Sequence, residues 1–227
     1  MIYLETVGAT LGIMVVAALG LSWLNGRTVQ HIVNQTGKTN AELWLMKPGL
    51  WVHETAHALV GRLFGLQIQE FSVHPSADRR SAGHVTFRFD KHSLWQRLGL
   101  FFAGGAPLWV VGVITLTLGK HAFWPGLPLA LVGWQTMLPT WPWALGWLVS
   151  ALLLSLGASL SAADLHTMWR GLPVFALVLL VAALLLQWLA PAALLWWREG
   201  NLLLAMICGL LAAVALAVNW LSHLLWR

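Results

Sequence analysis

Apolar runs of about twenty residues, the length one helix needs to cross a hydrocarbon core, recur along the chain between shorter polar stretches. Six such spans are predicted: Ile2–Leu24, Glu42–Leu66, Leu98–Leu118, Trp143–Ser161, Leu172–Leu189 and Asn201–Leu225. The first carries Glu5 where a secretory signal would carry Lys or Arg, and no small-residue cleavage site follows, so it is read as an uncleaved span. Its Gly8 and Gly12 form a small-xxx-small pair that would let a neighbouring helix approach. Asn25 to Asn40, with Arg27, His31 and Lys38, reads as a loop. Between Lys120 and Pro142 the pattern is broken by Pro125, Pro128, Pro139 and Pro142, which predicts a re-entrant or interfacial hairpin rather than a span. A Pro191-containing joint separates the last two spans.

One polar insertion has a different period. In Gln67 to Lys91, Val85, Phe87 and Phe89 alternate with Thr86, Arg88 and Asp90, the signature of a strand with one apolar face. Ile68 to Val73 is a weaker partner, and the turn-rich His74 to Gly83 between them completes a predicted β-hairpin. The expected fold is therefore an all-α membrane protein. It is a polytopic bundle of about six transmembrane helices in a single domain over residues 1–227, with a small β-hairpin (67–91) between the second and third helices.

Composition agrees with this: 59% of the 227 residues are hydrophobic and 9% are charged, against roughly a quarter charged in soluble domains. The net charge of +5 does not indicate nucleic acid, because the thirteen basic residues are scattered between apolar segments. They read as topology signals. Arg79, Arg80, Arg88, Lys91 and Arg97 make the densest basic set and place the hairpin side in the cytoplasm, with the N-terminus, Arg170 and Arg227 on the same side. A bacterial inner membrane is the expected location, with both termini cytoplasmic. A single cysteine, Cys208, excludes a disulfide framework and a Cys-rich metal site.

Candidate chemistry centres on His53-Glu54-Thr55-Ala56-His57 in the second span. Positions i and i+4 share one helix face, so both imidazoles can reach a single metal ion, with zinc the expected one. Glu54 is then placed to act as general base. The same row continues into Gly61 and Gly65, leaving that face bare for another backbone to pack against. In the third span, Phe102-Ala103-Gly104-Gly105-Ala106-Pro107 should distort or thin the helix. For the third metal ligand the candidate is Asp164, which ends an apolar span and is the only Asp or Glu between Lys91 and Arg198. Ser161-x-x-Asp164 is also a capping-box start for a helix, so ligand and cap stay open as alternatives. His166, His84 and His74 are secondary candidates.

The H-E-T-A-H on the second helix, the hairpin after it, the Gly-Gly-Ala-Pro helix and the lone aspartate at the end of a later span resemble the site-2 protease family of intramembrane zinc metalloproteases. The resemblance covers roughly residues 42–171. It implies that His53, His57 and Asp164 bind zinc, that Glu54 is the general base and that the hairpin clamps a transmembrane protein or peptide substrate from the surrounding bilayer. Asp164 is followed by Leu165 and preceded by Ser161-Ala162-Ala163, where the family commonly has an Asp-Gly preceded by Asn and Pro. The alternative from another class is a non-catalytic membrane protein that binds or transports a metal ion through the same His/His/Asp cluster. That reading expects further polar residues along a path through the bundle, and in the last two spans Gln187 and Asn219 are the main ones.

Overall fold

The computed structural model describes residues 2–37, 47–73, 83–128, 132, 134–157 and 160–225. Its elements in chain order are α1 (Ile2–Thr36), α2 (Lys47–Leu63), the strands β1 (Gln67–Ser72) and β2 (His84–Arg88), α3 (Leu94–Gly104), α4 (Ala106–Phe123), α5 (Trp141–Gly157), α6 (Ala162–Leu189) and α7 (Pro191–Leu225). Four helices, α1, α4, α6 and α7, are long and apolar enough to cross a membrane. At seventeen described residues each, α2 and α5 fall short of that length, so among the described residues there are four full-length spans where six are predicted.

Contacts between helices set their directions. His57 lies against Ala103 and Phe64 against Gly99, while Val52 shares a cluster with Val111, so α2 runs antiparallel to both α3 and α4. Thr140 donates its N–H to the Ala122 carbonyl and the Trp147 indole to that of Thr115, which makes α5 antiparallel to α4. Gly104 abuts Asp164 and Met168 while Gly171 abuts Phe101 and Arg97, so α6 is antiparallel to α3. It follows that α5 and α6 run the same way, in two stages, with Asp164 just after the break. They are not the separate up-and-down spans that the hydropathy pattern predicts.

The first and last helices also depart from expectation. Helix α1 does not stop at Asn25 but continues to Thr36. Its polar second half is held by α7: Asn219 Nδ2 donates to Thr28 Oγ1 at 2.9 Å, and the His31 and His223 ring centroids lie 3.8 Å apart with their planes tilted by 38°. Nearer the start, Asn201 Nδ2 donates to the Thr6 carbonyl at 2.9 Å and the Trp197 indole to Thr10 Oγ1 at 3.0 Å. Bonds of this kind contribute about 0.6 kcal/mol each in a membrane protein, so the ladder fixes register more than stability. Thr6 and Thr10 meet α7 at residues 197–201, and Thr28 and His31 meet it at residues 219–223, so α1 and α7 are parallel and the two chain ends lie at opposite ends of the bundle, not on one side. Pro191 stands at the first position of α7, where its missing N–H costs nothing, so the predicted joint is present but narrows to Ala190 between α6 and α7. No neighbouring helix comes within 4 Å of a Cβ at Gly8 or Gly12.

Between α4 and α5 the chain turns at Gly126, forms a short 3₁₀ turn (Trp134–Thr136) and folds back, Leu138 N–H bonding the Phe123 carbonyl. Among the described residues there is no further span here. The main core joins Ala18 and Leu21 of α1, Phe101 of α3, Leu108 of α4, Met168 and Phe175 of α6 and Ala215 of α7.

The hairpin forms as expected, but β1 carries a bulge. Ile68 pairs with Phe87 and Phe71 with Val85, with an irregularity between Ile68 and Glu70. Ile68 and Phe71 are three apart and would face opposite sides of a regular strand; the extra residue brings both onto the apolar face. The hairpin loop over residues 74–82 lies outside the described residues. Phe87 and Phe89 then pack with Leu66, Leu100 and Ala103, fastening the hairpin to α2 and α3. The glycine row of α2 serves this join. A Cβ at Gly61 would lie 2.5 Å from the Phe87 ring, so a side chain rather than a backbone fills the bare face. Gly65, at φ +72°, ends the helix: its N–H bonds Arg62 and that of Leu66 bonds Gly61.

Helices α3 and α6 approach backbone to backbone at their glycines. A Cβ at Gly104 would stand 2.5 Å from the Met168 nitrogen and 2.7 Å from the Asp164 carbonyl oxygen, both backbone atoms that cannot swing aside. The variant Gly104→Ala is expected to lose about 1–3 kcal/mol of stability. Its thermal unfolding temperature in detergent should drop below that of wild type; an unchanged value would mean that the two backbones are not in contact.

Candidate metal centre

Helix α2 buries the face that carries His53, Glu54 and His57, which are 8%, 4% and 3% exposed. Their separation along one helix brings the two Nε2 atoms to 3.0 Å. The orientation of His57 comes from the opposite ring nitrogen, whose partner is the Ala103 carbonyl at 2.6 Å. A carbonyl oxygen can only accept, so Nδ1 carries the proton and Nε2 of the neutral ring presents a lone pair. Outer-shell bonds of this kind aim and stiffen a metal-ligating histidine.

Ala103 can accept this bond because of the residue four positions on. In an α-helix its carbonyl would take the N–H of residue 107, and that residue is Pro107, which has none. Helix α3 therefore ends at Gly104, α4 begins at Ala106, and the Ala103 carbonyl turns to the histidine. The expected distortion of Gly-Gly-Ala-Pro is thus a complete break, and it supplies a polar group to the site.

Asp164 comes from the first turn of α6. Its Oδ1 lies 3.2 Å from His57 Nε2 and its Oδ2 lies 3.4 Å from His53 Nε2. The same carboxylate completes a capping box: the Ser161 N–H donates to Oδ2 at 2.7 Å, and the Asp164 N–H donates to Ser161 Oγ at 3.2 Å. Ligand position and helix cap are therefore one arrangement, since the cap holds the carboxylate toward the imidazoles.

The donor set fits a zinc ion. Ligands about 2.0–2.1 Å from a tetrahedral zinc stand about 3.3 Å from one another. The two imidazole nitrogens are 3.0 Å apart, each lies 3.2 or 3.4 Å from one of the two Asp164 oxygens, and one ligand atom from each residue falls within 4.8 Å of the others, close to that spacing. Two imidazole nitrogens and one carboxylate oxygen are also ligand types that zinc accepts, leaving a fourth position for water or substrate. His53, His57 and Asp164 are the one such group among the described residues.

Glu54 points to a different neighbour. Its Oε1 lies 2.6 Å, and its Cδ 2.9 Å, from where a Cβ on Gly83 would be, so the chain entering β2 passes directly against the carboxylate. Gly83 was legible only as a turn residue; the close approach to Glu54 required the fold. Of the secondary candidates, His84 Nε2 sits 3.2 Å from Glu70 Oε2 across the hairpin, His166 is exposed on α6, and His74 lies outside the described residues.

No family model matches the chain, and no curated protein or solved structure matches it either.

Purified protein is expected to carry about one zinc per chain, with Asp164→Ala and His57→Ala each abolishing it when metal content is measured. Ser161→Ala keeps all three ligands but removes half of the cap. It should weaken zinc binding about tenfold, in a competition titration with a chelator, while costing about 1 kcal/mol of stability.

Proposed function

We propose that this chain is an intramembrane zinc metalloprotease of the site-2 protease type, hydrolysing peptide bonds in or near the transmembrane segments of membrane-protein substrates. The observation that carries the reading is the convergence of His53, His57 and Asp164 from two helices, with Glu54 beside them and against the hairpin. A zinc ion held by the three would supply a Lewis acid for the scissile carbonyl and make water a nucleophile near neutral pH.

The remaining steps belong to the chain's own residues. Glu54 takes the proton from the attacking water and returns it to the leaving amine, which needs one carboxylate that is not a ligand. His57, held by Ala103, and Asp164, held by Ser161, keep their positions as charge develops. A substrate helix must be extended before its carbonyls can be reached. Among the described residues the sheet has two strands, so each offers an outer edge to which an extended segment can add, and Gly83, just before β2, brings that edge to Glu54.

Water access follows from helix length. The seventeen described residues of α2 rise about 26 Å, short of the roughly 30 Å hydrocarbon core, and a bilayer thinned to match them would bring water toward the site. In this reading the basic hairpin side is cytoplasmic in a bacterial inner membrane, the N-terminal end of α1 lies on that side, and α7 ends on the other.

The rival, a metal carrier without catalysis, gains from Thr10, Asn25, Thr28 and Asn201, which are buried polar residues beyond those that hydropathy suggests. Thr10, Thr28 and Asn201, however, make hydrogen bonds that join α1 to α7. The variant Glu54→Gln separates the two readings. It should retain zinc and lose cleavage of a transmembrane model substrate by about a thousandfold or more. Retained cleavage would overturn the role of Glu54, and wild-type protein that binds zinc but cleaves no substrate would favour the carrier.

A further inference from the structure

Lys91, Arg97 and Arg170 line one cavity of about 350 Å³, with Phe89 and Leu100 as its apolar walls. The three cations arrive from different elements: the turn after β2, the first turns of α3, and α6 six residues beyond Asp164. Among the described residues none of them forms an ion pair with a carboxylate. Asp90, the nearest acid in sequence, lines the adjacent cavity with Gln67, Arg88 and Gln96, and its Oδ1 accepts the N–H of His92.

Three like charges facing one cavity repel each other, and an anion among them offsets that repulsion with an attractive term to each. The arrangement is also preorganised. The Arg170 guanidinium lies over the Phe89 ring, 4.8 Å from its centroid, which fixes the plane of its donors. A Cβ at Gly171 would meet the backbone of Phe101 and lie 2.9 Å from the Arg97 carbonyl oxygen, so the segments bearing the two arginines are locked together. Forked guanidinium donors suit the tetrahedral oxygens of phosphate, and a lysine adds a point charge.

We propose that this cavity is a binding site for a phosphate group, either a free phosphate or the headgroup of an acidic phospholipid. Basic pockets between membrane helices recognise headgroups through this chemistry. The site is separate from the zinc ligands and does not depend on the proteolytic reading.

The test uses the full chain in a neutral detergent at low salt, titrated separately with inorganic phosphate, short-chain phosphatidylglycerol, short-chain phosphatidylcholine and acetate, with bound ligand read by native mass spectrometry. One saturable site for phosphate or phosphatidylglycerol is expected, weakened about tenfold by Arg97→Gln and by Arg170→Gln. The phosphatidylglycerol arm alone binding identifies a lipid headgroup; phosphate binding and displacing the lipid identifies a free anion. Equal binding of phosphatidylcholine or acetate, or affinity unchanged in both variants, would overturn the proposal. Should either arginine variant fail to fold, Lys91→Gln, at an exposed turn, replaces it and must weaken binding in the same direction. Zinc content should match wild type in every folded variant.

Discussion

A carbonyl left without its i+4 donor holds the centre of this protein together. Pro107 offers no N–H to Ala103, and the freed oxygen takes the Nδ1 proton of His57. One missing donor thereby ends α3, starts α4, fixes the tautomer of an imidazole and pins α2 to the helix break. Buried between helices, that carbonyl needs a partner, so the bond is required as well as favourable. Nearly everything else at the site is arranged around this join.

Small residues then let the other components reach it. Gly104 admits the backbone of α6, which carries Asp164 to the imidazoles, and Gly171 completes the contact two turns along. Gly61 admits Phe87 and so seats the hairpin, while Gly83 admits Glu54. Each of these four positions is occupied by the neighbour that a Cβ would displace. Van der Waals contact is what associates helices in lipid, and here it also sets ligand distances.

How far the chain could be read in advance depended on whether the signal was local. The i, i+4 spacing of His53 and His57 is a property of one helix, and their geometry follows from it. The alternation at Val85, Phe87 and Phe89 is likewise local, whereas Ile68 and Phe71 looked out of phase because a bulge is invisible to a period-two count. Hydropathy located apolar segments but not their direction. The same-sense course of α5 and α6, and the parallel pairing of α1 with α7, come from contacts between residues far apart in sequence. Asn25 to Thr36 looked like a loop because its polarity suggested water, while in the fold Thr28 finds a partner on α7. The Ala103 carbonyl was within reach of sequence reasoning, since a proline four residues later always frees one. Its use by His57 was not.

Asp164 illustrates a wider consequence. Its carboxylate is oriented by Ser161 as part of starting a helix, so folding has already gathered the ligands when a cation arrives. Binding then requires little reorganisation, and affinity alone will not discriminate among borderline divalent ions, which follow the same order at almost any nitrogen and oxygen site. A pocket so thoroughly assembled is loaded according to supply. The cell's balance of free metals at the time the chain folds, rather than any selectivity in these three side chains, would then decide which ion such a group holds.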